Sequence, residues 1–129
     1  MNPSPPPILV VDDNAANLKL ARVILQREGY LVRTAVDAEE ALELLRSWRP
    51  ALILMDIQLP GLDGLELTRR LKADPGYRDI IIVALTAFAM PNDQERALAA
   101  GCDGYLSKPI DIDTLVVAVS RHIGPGARP

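Results

Sequence analysis

The stretch Ile8-Leu9-Val10-Val11-Asp12-Asp13 carries an unbroken apolar run into two adjacent carboxylates. A short continuous run of this kind predicts a strand buried on both faces, as in a parallel sheet. A second run, Leu52-Ile53-Leu54-Met55, ends on Asp56. Ile80 to Leu85 ends at Thr86, and Tyr105-Leu106-Ser107 leads into Lys108-Pro109. Leu31 to Ala35 is a further short β-like stretch.

Amphipathic segments separate these runs. Asn14 is placed to cap a helix from about Ala15 to Glu28, with Leu18, Ala21 and Leu25 on one stripe and Gly29 at its end. Asp37 and Glu40 form an N-cap and N3 pair that opens a second helix bearing Ala41, Leu45 and Trp48. Leu67 and Leu71 mark a third helix, Pro91 to Ala100 a fourth, and Asp111 caps a fifth with Leu115, Val116, Val119 and Ile123 as its buried face. Strands alternating with helices predict an α/β fold, a doubly wound five-stranded parallel sheet covered on both sides.

Such sheets bind ligands beyond the C-terminal ends of their strands. That rule gathers Asp12, Asp13, Asp56, Thr86 and Lys108 at one rim, which the reading takes to be exposed. Crowded carboxylates repel unless a cation neutralises them. A hard divalent ion with oxygen ligands, typically Mg²⁺, suits this donor set. Without metal the acids are expected to titrate as a coupled group. Acids, a hydroxyl and an amine together make a site for receiving a phosphoryl group.

Length and composition set the outer limits. The 129 residues suffice for one domain with a real core, and 49% apolar with 24% charged residues fits a soluble protein. A net charge of −3 disfavours nucleic acid or an anionic membrane as partner. The one cysteine, Cys102, excludes an internal disulfide, suits a reducing compartment and reads as a small buried residue. No apolar stretch is long enough to span a membrane, and the N-terminus lacks the regions of a signal peptide. The expected layout is a Pro-rich arm over 1–7, a domain over 8–123 and a frayed Gly/Pro tail over 124–129. The cytoplasm is the expected location. No Gly-rich phosphate loop is present, which argues against nucleotide binding.

Four motifs, in order, carry a resemblance. Val11-Asp12-Asp13-Asn14, Leu54-Met55-Asp56-Ile57-Gln58-Leu59-Pro60-Gly61-Leu62-Asp63-Gly64, Leu85-Thr86-Ala87 and Ser107-Lys108-Pro109 resemble the receiver domain of bacterial response regulators, over about Ile8 to Ile123. The stretches after Met55 and Thr86 look most like single-domain regulators of the DivK type and receiver modules of hybrid histidine kinases. The resemblance implies a flavodoxin-like (βα)5 fold with strand order 2-1-3-4-5.

It also implies roles. Asp56 would be the phosphoacceptor, a carboxylate acting as nucleophile on phosphorus. Asp13 would ligate Mg²⁺ directly and Asp12 through water, with Asp56 and the backbone carbonyl of Gln58 as further ligands. Asp12 and Asp13 also fit a helix-capping run, which is compatible because Asn14 can cap. Lys108 would pair with Asp56, then with the phosphoryl oxygens, and its bond to Pro109 would be cis. Thr86 would hydrogen-bond a phosphoryl oxygen, and Tyr105 would swing inward with it. The plain readings are a surface lysine, a β-branched strand end and a packed tyrosine. Gln58 and Phe88 occupy positions that tune water access in this family. His122 reads as a surface residue, and Asp63-Gly64 as a turn and cap.

The expected function is a stand-alone receiver taking a phosphoryl group from a phosphohistidine on a kinase or histidine phosphotransfer protein. It would signal through protein contacts to a downstream protein target, and would not be an enzyme acting on a metabolite. Met1 and the short tail favour a free-standing protein. The alternatives are an Mg²⁺-dependent phosphatase or hydrolase with an aspartate nucleophile, the receiver part of a hybrid histidine kinase, and a scaffold whose phosphorylation is vestigial. The sequence leaves the oligomeric state open.

Overall fold

The computed structural model describes residues 5–59, 64–86 and 91–126. The elements run β1 (Pro7–Val11), α1 (Ala15–Arg27), β2 (Leu31–Ala35), α2 (Ala38–Leu45), β3 (Leu52–Asp56), α3 (Gly64–Ala73), β4 (Ile81–Thr86), α4 (Pro91–Ala100), β5 (Gly104–Ser107) and α5 (Ile112–Ile123). The strands form one parallel sheet in the order β2-β1-β3-β4-β5.

The unbroken apolar runs follow from burial on both faces. Leu9, Val11, Ile53, Met55, Ile82 and Ala84 point into one core, with Ala41, Leu45, Leu67, Leu71 and Ala97 from α2, α3 and α4. Their neighbours Ile8, Val10, Leu52, Leu54, Val83 and Leu85 point into a second core, with Leu18, Leu25, Leu115 and Val119 from α1 and α5. This alternation is the two-residue period of a pleated strand, with helices meeting both faces. β3, at the centre, is buried along its whole length.

Local signals hold where side chains cap backbone. Asn14, Asp37 and Asp111 each accept from the N–H three residues on, at the starts of α1, α2 and α5. Gly29 leaves α1 with φ 91°, a conformation that glycine adopts without steric cost.

Four expectations change. α2 stops at Leu45, because Arg46 and Ser47 turn their N–H groups onto Glu43 and Leu44 in a tightened last turn. Trp48 therefore lies beyond the helix, with the Arg33 guanidinium 4.9 Å from its ring centroid. The sheet starts earlier than Ile8: Pro7 pairs with Leu31, and the Pro6 carbonyl accepts from Leu31. The tail is expected to fray from Gly124, yet residues 124–126 touch the end of α1, where the Tyr30 hydroxyl donates to the Gly124 carbonyl at 2.7 Å and an added Cβ at Gly126 would strike the backbone of Glu28 and Gly29. His122 is half-buried, with its Nε2 close against Gly104 on β5.

Candidate functional site

Strand order places β1 between β2 and β3, so the connections leaving β1 and β3 part in opposite directions. A crevice opens at such a point, beyond the strand C-termini. Asp12 follows β1 and Asp56 ends β3. Val11 pairs with Met55, which brings the two acids side by side.

Both are buried, Asp12 fully and Asp56 to 2% exposure, while Asp13 is exposed. One oxygen of each buried acid is held by backbone: Asn14 N–H donates to Asp12 Oδ1 and Gln58 N–H to Asp56 Oδ1, both at 2.9 Å. The Lys108 ammonium lies 2.9 Å from Asp12 Oδ2 and 3.1 Å from Asp56 Oδ2. It donates a hydrogen bond to Asp56. Towards Asp12 it makes an ion-pair contact without hydrogen-bond alignment, so Oδ2 of that buried acid lacks an aligned donor.

Charge and burial compete here. Burial pushes the Asp56 carboxyl above the ordinary range, with Asp12 adding to the rise, against the Gln58 N–H and the Lys108 ammonium. Burial alone would pull the Lys108 amine down, but the Asp12 and Asp56 carboxylates outweigh it and hold the ammonium above its usual value.

Asp12, Asp13 and Asp56 each offer an oxygen within 4.8 Å of the others. Three acids with, among the described residues, one neighbouring ammonium, and one buried oxygen short of a donor, suit a hard divalent cation that keeps part of its water shell. The donor set therefore fits Mg²⁺.

Thr86 ends β4 beside Ser107 and is wholly buried. Its Oγ1 donates to Asp93 Oδ2 on α4 at 3.0 Å. Its carbonyl accepts the Lys108 N–H at 2.7 Å. The Lys108-Pro109 peptide is cis. Lys108 itself is only 15% exposed in its side chain, so neither Thr86 nor Lys108 stands on the exposed rim that the sequence suggested. Tyr105, half-buried on β5, borders an open groove of about 360 Å³ with Leu85, Leu106, Ile110 and Leu115.

The sheet thus brings Asp12, Asp13, Asp56 and Lys108 into one cluster, with Thr86 joined to it through the backbone of Lys108. Sequence reasoning missed two contacts. A Cβ at Gly64 would collide with the Asp56 carbonyl and with Ile57, so α3 begins in direct backbone contact with the end of β3. Asp93 reads as an ordinary acid in a helix's first turn, and no local pattern links it to Thr86. Ala87, Phe88, and Pro60 to Asp63 lie outside the described residues.

The family model for the response regulator receiver domain matches residues 8–120. The chain belongs to this family. The receiver is 43% identical to the polar-differentiation response regulator DivK of Brucella anthropi, across 93% of this chain and 98% of that protein. Among solved structures, it superposes with a TM-score of 0.86 on the chemotaxis response regulator CheY4 of Vibrio cholerae, at 30% identity, covering 92% of this chain and 98% of that one. It also resembles the signal receiver domain of a histidine kinase from Syntrophus aciditrophicus, with a TM-score of 0.84 and 33% identity, covering 92% and 89% of the two chains. Receivers are signalling proteins of two-component systems, work with histidine kinases and phosphotransfer proteins, and generally bind Mg²⁺ at an acidic site. No helix among the described residues of this receiver is long and apolar enough to cross a membrane.

Proposed function

We propose that this receiver takes a phosphoryl group onto Asp56 from a phosphohistidine, and passes the signal on through protein contacts. The main support is the state of Asp56: a buried carboxylate at a strand end, with each oxygen separately oriented, beside two more acids and a lysine. In the transfer, a carboxylate oxygen of Asp56 bonds to phosphorus. The phosphorus–nitrogen bond to the donor imidazole breaks, and its electron pair leaves with that nitrogen. The Gln58 N–H and Lys108 fix the attacking carboxylate, which supplies the positioning that dominates phosphoryl transfer.

Asp12, Asp13, Asp56 and the Gln58 carbonyl would hold Mg²⁺, which supplies positive charge facing the transferred oxygens. Lys108 offsets the free Asp56 before transfer and a phosphoryl oxygen after it. Thr86 then donates its hydroxyl to the phosphoryl group, and Tyr105 moves in the space beside it. These changes alter the surface of α4, β5 and α5, which a downstream protein reads. The acidic balance of −3 provides no field for DNA or an anionic membrane, and the cytoplasm is the proposed setting. The chain works as a signalling module rather than as an enzyme on a metabolite.

Incubation with acetyl phosphate or a phosphorylated kinase in Mg²⁺, followed by mapping of the label, tests this reading. The label should sit on Asp56, vanish in Asp56→Asn and fail to form in excess chelator. A label that survives Asp56→Asn overturns the assignment.

A second reading, a receiver module within a larger kinase, is favoured by the likeness to the Syntrophus aciditrophicus kinase receiver. The mass of the native protein in its source cell separates the two.

A further inference from the structure

We propose that Asp93 is a positioning residue: it binds the Thr86 hydroxyl to α4 in the unmodified protein and so sets how readily the receiver switches. This rests on the roles of Asp56 and Thr86 proposed above.

The hydrogen bond from Thr86 Oγ1 to Asp93 Oδ2, 3.0 Å long, lies in a buried setting, with Thr86 at 0% and Asp93 at 8% exposure. Asp93 is held on a fixed element, since α4 buries Ala97 and Ala100 in the core. Its other oxygen faces Arg96 at 3.7 Å, and that arginine side chain is 59% exposed. A long, solvated ion pair of this sort adds little.

A threonine hydroxyl carries one proton, and an ionised carboxylate can only accept. A phosphoryl group on Asp56 is also an acceptor. The two acceptors therefore compete for the same proton. When Thr86 turns to the phosphoryl oxygen, Asp93 Oδ2 loses this donor within a buried site, and that loss opposes the turn. The backbone keeps the contest local: the Thr86 carbonyl remains tied to the Lys108 N–H, and Thr86 stays in register with Ser107. The side chain chooses between α4 and Asp56, while the strand end stays in place.

Binding of the phosphoryl mimic beryllofluoride, in Mg²⁺ and followed by nuclear magnetic resonance, tests the competition. Asp93→Ala should bind the mimic roughly ten-fold more tightly than wild type, the scale of a lost charge-assisted hydrogen bond. Asp93→Asn preserves shape and an accepting oxygen, and should fall between the two even if the alanine variant folds poorly. Both effects should disappear in a Thr86→Ala background. Unchanged affinity in both Asp93 variants, or the same gain without the Thr86 hydroxyl, would mean that Asp93 only packs α4. If wild type does not bind the mimic, or binds it equally well after Asp56→Ala, the reading of Asp56 fails, and the role of Asp93 with it.

Discussion

Lys108 and Asp12 form an ion pair at 2.9 Å in which the carboxylate is wholly buried and the lysine side chain only 15% exposed. The same ammonium reaches Asp56 at 3.1 Å, so one cation offsets two acids that would otherwise repel. The pair is thus part of the folded state as well as of the proposed chemistry.

Removing that cation should be felt in stability. Lys108→Ala is expected to cost about 1–3 kcal/mol at neutral pH in chelator, because it leaves buried charge without its partner. Urea unfolding measures it. A change below about 0.5 kcal/mol, as for an ordinary surface residue, would show that the acids do not depend on the lysine.

Asp13 offers the cleanest test of the metal. It is exposed, so Asp13→Ala should leave metal-free stability within about 0.5 kcal/mol. Wild type should melt higher as Mg²⁺ is added, by mass action on the folded state, and the variant should lose most of that rise. Equal Mg²⁺ stabilisation of both proteins would place the ion elsewhere.

Gly64 makes a steric prediction. A methyl group there meets the Asp56 carbonyl and Ile57 Cα, atoms of the backbone that cannot turn aside. Gly64→Ala should destabilise by roughly 1–3 kcal/mol. It should also shift the amide resonances of Asp56 and Gln58. Wild-type stability with unmoved resonances would show that α3 and β3 separate freely.

Asp111 fixes a pH dependence. Its carboxylate accepts from the Thr114 N–H and then from the Thr114 hydroxyl, at 2.9 and 2.8 Å, and these bonds hold its pKa below the ordinary carboxylate value. A group whose pKa falls on folding adds stability above its unfolded pKa, and that contribution fades as pH drops through the folded one. Asp111→Ala should therefore be less stable than wild type at pH 7, and the gap should narrow in acid. Melting temperatures across that range check the sign; a gap that widens in acid contradicts it.

Much of this was legible in sequence because it is local. Apolar runs of strand length bounded by capped helices are fixed by short-range periodicity and by side chains such as Asn14, Asp37 and Asp111 that satisfy nearby N–H groups. The acids and Lys108 were legible as strand ends, since the strands of a parallel sheet end on one rim. The tertiary structure alone decided what lies between residues distant in the chain. It showed that Lys108 reaches Asp12 as well as Asp56, that Thr86 is buried and Lys108 half-buried rather than exposed, that Gly64 touches the backbone of Asp56, and that Asp93 takes the Thr86 hydroxyl. Periodicity states which face of an element is buried, but a hydrogen bond or a close backbone approach depends on how two elements pack. That packing is set by the whole core, not by any single stretch of it.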